Sequence, residues 1–167
     1  MPPKKLAIVL ALTAVVAGLY FWQDARTRKL EDLLAARELA SRDMKAFNEH
    51  ENDAAFAPKL TTAMAHVNLF SPVRAGDSLT HDVLPVLDEY LDRLHRALES
   101  SDAYVALDAD AAKEVAPGLA KLHAREIAIR KFRGQLADLA QRASAGKLDL
   151  DALSSEMTTI ALQITQS

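Results

Sequence analysis

The chain has 167 residues, a formal charge of −3 and no cysteine. The acidic balance argues against a nucleic-acid partner, and the missing cysteines exclude disulfides, thiolate metal sites and cysteine nucleophiles. Only 5% of the residues are aromatic, a composition that suits helix packed on helix rather than a β-sandwich.

Residues 1–5 form a short tail carrying Lys4 and Lys5. Residues 6–22 then run without a charge and end in Tyr20-Phe21-Trp22. Seventeen residues of helix reach about 25 Å, the short end of what crosses a bilayer core. Aromatics at the end of such a run match the interfacial belt of a membrane helix, and the polar, mostly basic stretch from Gln23 to Lys29 follows as a juxtamembrane segment would. Residues 6–22 are therefore expected to be a retained transmembrane signal-anchor. The competing reading is a secretory signal cleaved after Ala17, where Val15 and Ala17 are acceptable small residues. The basic residues on the two sides nearly balance, and the very short N-terminus favours an extracytoplasmic C-terminal domain in a bacterial inner membrane. Ala7, Ala11, Ala14 and Gly18 share one face of this helix, and small residues so spaced let two membrane helices approach.

Beyond Lys29 the apolar positions keep helical spacing, and no alternating stretch points to a strand. The first stripe is Leu30, Leu33, Arg37, Ala40, Met44 and Phe47, on a helix that can run straight out of the membrane segment. Polar residues 48–53 and Pro58 are expected to break or kink it, with the stripe resuming at Leu60, Ala63 or Met64, Val67 and Phe70. Residues 71–78 (SPVRAGDS) read as a loop punctuated by Pro72 and Gly76. Thr80 or Asp82 can cap a second helix, with Pro85 in its first turn and the stripe Leu84, Leu87, Leu91, Leu94 and Leu98. Ser100-Ser101-Asp102 is expected to close it and residues 104–107 to link it onward.

A helix capped by Asp108 or Asp110, bent or restarted at Pro117-Gly118, carries Leu119, Leu122, Ile129, Leu136 and Leu139 and ends near Gly146. Asp149 caps the last helix, with the stripe Leu150, Leu153, Met157, Ile160 and Ile164. The expected fold class is all-α: a transmembrane helix followed, over residues 23–167, by an antiparallel up-down four-helix-bundle-like domain with proline kinks.

No nucleophile elbow, HExxH motif or glycine-rich phosphate loop is present, so no catalytic residue and no cofactor are expected. Asp92 and His95 are three apart on one predicted helix, as are His123 and Glu126 on the next. Facing carboxylate and imidazole pairs are how di-iron bundles bind metal, although here one copy has Asp for Glu and the other is reversed. The plainer reading is that these histidines flank the apolar stripe. The bases between Arg125 and Arg133 face the acids Asp88, Glu89 and Asp92 if the two helices pack antiparallel, which would set register. Glu126 falls on the core face, where it must either pair with Arg93 or Arg130 or line a cavity with Arg93 beside it. The layout resembles the sensor halves of membrane receptors in architecture alone, which assigns no function.

Expected partners are thus the bilayer, through residues 6–22, and a protein partner or a second copy. The leading functional reading is a membrane-anchored, non-enzymatic interaction or scaffolding domain of the bacterial envelope. A ligand-binding sensor bundle, with its pocket near Pro58 and Pro117, is the alternative, and a bundle metalloprotein comes third.

Overall fold

A computed structural model describes the backbone of residues 3–166 and the side chains of residues 17–164. The described residues are helical with no strand: α1 (Pro3–His50), α2 (Asp53–Ala65), α3 (Pro72–Ser78), α4 (Leu84–Leu107), α5 (Ala109–Ser144) and α6 (Leu150–Gln166). Together they form a helical bundle.

α1 is one unbroken helix of 48 residues, about 72 Å long. Its first part coincides with the apolar run. Among the described residues no helix is long and apolar enough to cross a membrane. The side chains from Leu6 to Val16, which make up most of the expected anchor and include Ala7, Ala11 and Ala14 of its packing face, lie outside the described residues. From Ala17 to Asp32 every side chain except the half-buried Asp24 is exposed, so this length stands clear of the bundle as a stalk of α1. Leu30 and Leu34 are exposed on it, and the stripe enters the core only at Ala40 and Phe47. The Arg26 guanidinium lies 5.5 Å from the centre of the Trp22 ring.

The chain breaks where the polar stretch predicts. Asn52 is extended, and its Oδ1 accepts from the Ala55 amide at 3.0 Å, capping α2. Pro58 lies inside α2 and Pro117 inside α5. Neither proline ends its helix.

Residues 71–78 correct the sequence reading. Ser71 Oγ accepts from the Arg74 amide at 3.2 Å, and Pro72 opens α3, so the expected loop is a capped helix with buried Ala75 and Gly76. The π-helical turn Leu79–Val83 then joins α3 to α4 without a gap. The Leu84 amide donates to Leu79 O, five residues back. This wider turn sits directly before Pro85, which has no N–H to continue a regular ladder. Thr80 therefore caps nothing; its Oγ1 donates back to Gly76 O at 2.9 Å.

Nor do the serines end α4. Ser100 Oγ and Ser101 Oγ donate to Arg96 O and Ala97 O, at 2.9 and 2.6 Å, and the helix continues to Leu107. Asp108 alone separates α4 from α5, its Oδ1 accepting from the Asp110 and Ala111 amides. These amides hold its carboxyl below the usual aspartate range. Gly146 has φ 66°; its amide and that of Lys147 donate to Ala143 O and Arg142 O, which closes α5. Asp149 caps α6 as expected, accepting from the Ala152 amide at 2.7 Å.

Pairing across the helices gives their directions. Asp88 meets Arg133, His95 meets Glu126 and Asp102 meets His123, so positions rise along α4 as they fall along α5. Arg142–Glu156 and Arg125–Ile164 O set α6 antiparallel to α5 in the same way. The core between them holds the predicted stripes of α4, α5 and α6. Leu87, Leu94, Ile129, Leu136, Leu139 and Leu153 are fully enclosed.

Candidate functional site

Two ends of the bundle and one charged seam carry the features that chemistry or recognition could use. Along the seam, the acid–base register expected from the sequence holds for one pair. Arg133 Nε and Nη2 donate to Asp88 Oδ1 and Oδ2 at 2.9 and 3.2 Å. Glu89 and Asp92 instead pair within α4, with Arg93 and Arg96.

Glu126 is largely buried and pairs rather than opening a cavity. Its Oε1 accepts from Arg130 Nη2 at 2.7 Å and Nε at 3.1 Å, and lies 3.0 Å from His95 Nδ1. Burial pushes this carboxyl up, but the Arg130 bonds and charge, with His95 beside them, outweigh burial and hold it below the ordinary 4.5. A lowered folded value means the carboxylate stabilises the fold above pH 4.5, and that this contribution is lost as pH falls through the folded value. Arg130 and His95 are half-exposed, which screens the pair. Glu126→Gln is therefore expected to cost roughly 0.5–1 kcal/mol at pH 7. It should also flatten the loss of stability on acidification, read from urea midpoints at neutral pH and near pH 3.

The expected metal set does not assemble. His95 and Glu126 meet, but Asp92 is held by Arg96, and His123 Nε2 lies 2.9 Å from Asp102 Oδ2. Among the described residues no three His, Cys, Asp or Glu side chains come together as a metal site would need. Arg93 and Glu126 are not neighbours in a pocket either. Arg93 leaves the other side of α4 toward Glu51, 3.4 Å away, because positions 93 and 95 project in different directions from one helix.

The sequence reading missed a polar junction where α1 ends. Glu51 is 3% exposed and takes Lys59 at 3.0 Å as well as Arg93. Next to it, Tyr90 Oη donates to Asp53 Oδ1 at 2.6 Å, and Arg125 Nε reaches the same oxygen at 3.2 Å. Arg125 Nη1 also donates to Ile164 O at 3.0 Å, tying α2, α4, α5 and α6 together. Asn52-Asp53 ahead of an apolar run is a helix-start signal that could have located this junction.

At the stalk end, α1, α4 and α5 together border a groove along residues 114–122. An open cavity of about 620 Å³ occupies that place. Met44, Val105, Leu119 and Leu122 line it, with Arg37 on the α1 rim and Lys121 on the α5 rim. Neither Glu126 nor Arg93 borders it, although its position beside Pro117 is where a pocket was expected. At the opposite end, the turn between α2 and α3 exposes Leu69, Phe70 and Val73, with Phe70 90% accessible. The expected burial of Phe70 fails because Asn68 Oδ1 accepts from the Phe70 amide at 3.0 Å in a tight turn that ends the α2 stripe at Val67. Comparison with protein-family models, curated proteins and solved structures finds no match to this chain.

Proposed function

We propose that the chain is a membrane-anchored, non-enzymatic interaction module of the bacterial envelope, with residues 6–22 in the inner membrane and the bundle on the periplasmic side. The exposed Phe70 carries the reading. A large aromatic that is 90% accessible, flanked by Leu69 and Val73 and held on a capped turn, has the make-up of a hot-spot anchor for another protein. Two further features support the arrangement. The apolar run continues without a break into α1, and the bare stalk from Trp22 to Asp32 is about 15 Å long. The stalk would hold the bundle off the bilayer and turn its apolar tip away from the lipid.

Photocrosslinking in cells tests this, with the crosslinking residue placed at position 70 and, as a control, at Asp151 on α6. A discrete crosslinked species is expected at position 70 only, and Leu69→Asp with Val73→Asp should abolish it. Equal crosslinking at both positions, or none at 70, overturns the interaction reading. The same cells test the anchor: the protein should stay with membranes in alkaline carbonate and leave them in detergent, whereas release by carbonate overturns it.

A further inference from the structure

We propose that the groove between α1, α4 and α5 binds a single-chain anionic amphiphile, with the acyl chain inside and a carboxylate or phosphate head at the mouth. The first ground is shape. About 620 Å³ falls within the usual range for small-molecule sites, and the floor of Val105, Leu119, Leu122 and Met44 offers no charge to an inserted chain.

The second ground is charge. Arg37 and Lys121 stand on opposite rims, both exposed, and among the described residues neither makes an ion pair within 4 Å. Elsewhere on α4 and α5 the arginines Arg93, Arg96, Arg125, Arg130, Arg133 and Arg142 are paired, whereas exposed Lys131, away from the groove, makes no ion pair within 4 Å among the described residues. Arg37 acts on the Asp108 carboxyl only at longer range. Two cations left without partners around an apolar slot complement an anionic head. Glu114, also on the rim, lies two turns N-terminal to Lys121 and repels a head group placed there. It thereby directs the head toward Arg37 and Lys121.

The third ground is Gly118, in the α5 wall. Gly118 lines the groove, and a Cβ built there meets nothing within 4 Å, so a larger side chain can be placed at this position without a clash. This site lies at the opposite end of the bundle from Phe70 and does not depend on the tip's having a partner.

The test uses the full-length chain in zwitterionic nanodiscs with a diazirine-bearing palmitate as probe. Adducts are expected on the peptides spanning residues 37–44 and 114–122, competed by palmitate and by lysophosphatidate but not by methyl palmitate. Competition by only one of the two anions identifies the head group. Gly118→Phe fills the slot and should cut groove labelling at least fivefold. Arg37→Gln with Lys121→Gln, both on the surface, should do the same without touching the core, so the proposal stays testable if the phenylalanine variant folds poorly. Labelling confined to residues 6–22, groove labelling indifferent to these variants, or equal competition by the methyl ester overturns the proposal. Labelling of residues 6–22 by bulk lipid probe reports the anchor separately, so failure of the groove and failure of the anchor are distinguishable.

Discussion

Tyr90→Ala is expected to destabilise the bundle by about 3–5 kcal/mol. The Tyr90 side chain is fully buried, and it joins three helices at one point. Its ring stacks on Phe56 of α2 at 4.1 Å between centres and meets Phe47 of α1 edge-on at 5.6 Å. Removing the ring opens a cavity between aromatic neighbours that cannot both move into it, since Phe47 and Phe56 belong to different helices across the Asn52 break. Tyr90→Phe separates the two contributions. It keeps the ring contacts and loses the bond to Asp53, which as a hydrogen bond to a charged group is expected to cost about 1.5–3 kcal/mol. Arg125 still holds that carboxylate, placing the cost at the lower end. Burial, then the Asp53 hydrogen bond, pushes the Tyr90 phenol well above its ordinary 10.0. A raised value means this stabilisation is complete below pH 10 and is lost above it, a loss that Tyr90→Phe should not show. Urea midpoints for the two variants at pH 7 and pH 11 measure each part. A cost below about 1 kcal/mol for alanine would mean that α1 and α2 are not held on α4 through this residue.

Tyr90 also shows where periodicity alone falls short. The stripes of α4, α5 and α6 were legible because each turns one apolar face to its neighbours, and Leu87, Leu94, Ile129 and Leu136 are buried where the spacing places them. Tyr90 lies off the leucine stripe and is enclosed because α2 folds back over a second side of α4, a tertiary fact that a single helix does not encode. The caps at Asp108 and Asp149 and the stop at Gly146 were legible because they are local. The polar stretch 48–53 was legible as a break, but the buried pairing of Glu51 with Lys59 and Arg93 needs three elements in place. Likewise, Glu126 was recognised as a charge on a core face, while its choice of Arg130 over Arg93 depends on which way each side chain leaves its helix. The groove beside Gly118 was anticipated only as a pocket near Pro117. Its lining comes from three separate helices, α1, α4 and α5, which no single stretch of sequence announces.

In the sequence Gly76 looks like a turn glycine, and the structure gives it a different task with an opposite expectation. It sits buried inside α3, where α3 crosses α5. A Cβ there would lie 2.6 Å from Ala140 O and 2.8 Å from the Ser144 amide nitrogen, and would also strike Ser144 Oγ. The hydroxyl can rotate away, but the two backbone atoms cannot, so α3 must lift off α5. Overpacking of this kind costs about 1–3 kcal/mol, against a gain of roughly 0.5–1 kcal/mol from replacing a helical glycine by alanine. Gly76→Ala is therefore expected to be net destabilising and Gly76→Val more so. Gly134, exposed on α5 with nothing within 4 Å of its Cβ position, isolates the propensity term, so Gly134→Ala should raise the urea midpoint. Opposite signs for the same substitution at two helical glycines would establish close approach as the reason for Gly76. Equal gains would place α3 away from α5 in solution. The displacement should also be felt at the tip, because α3 carries Val73 and is joined rigidly to α4 through the π-helical turn. Gly76→Val is thus expected to weaken crosslinking at position 70 even at temperatures where the bundle remains folded.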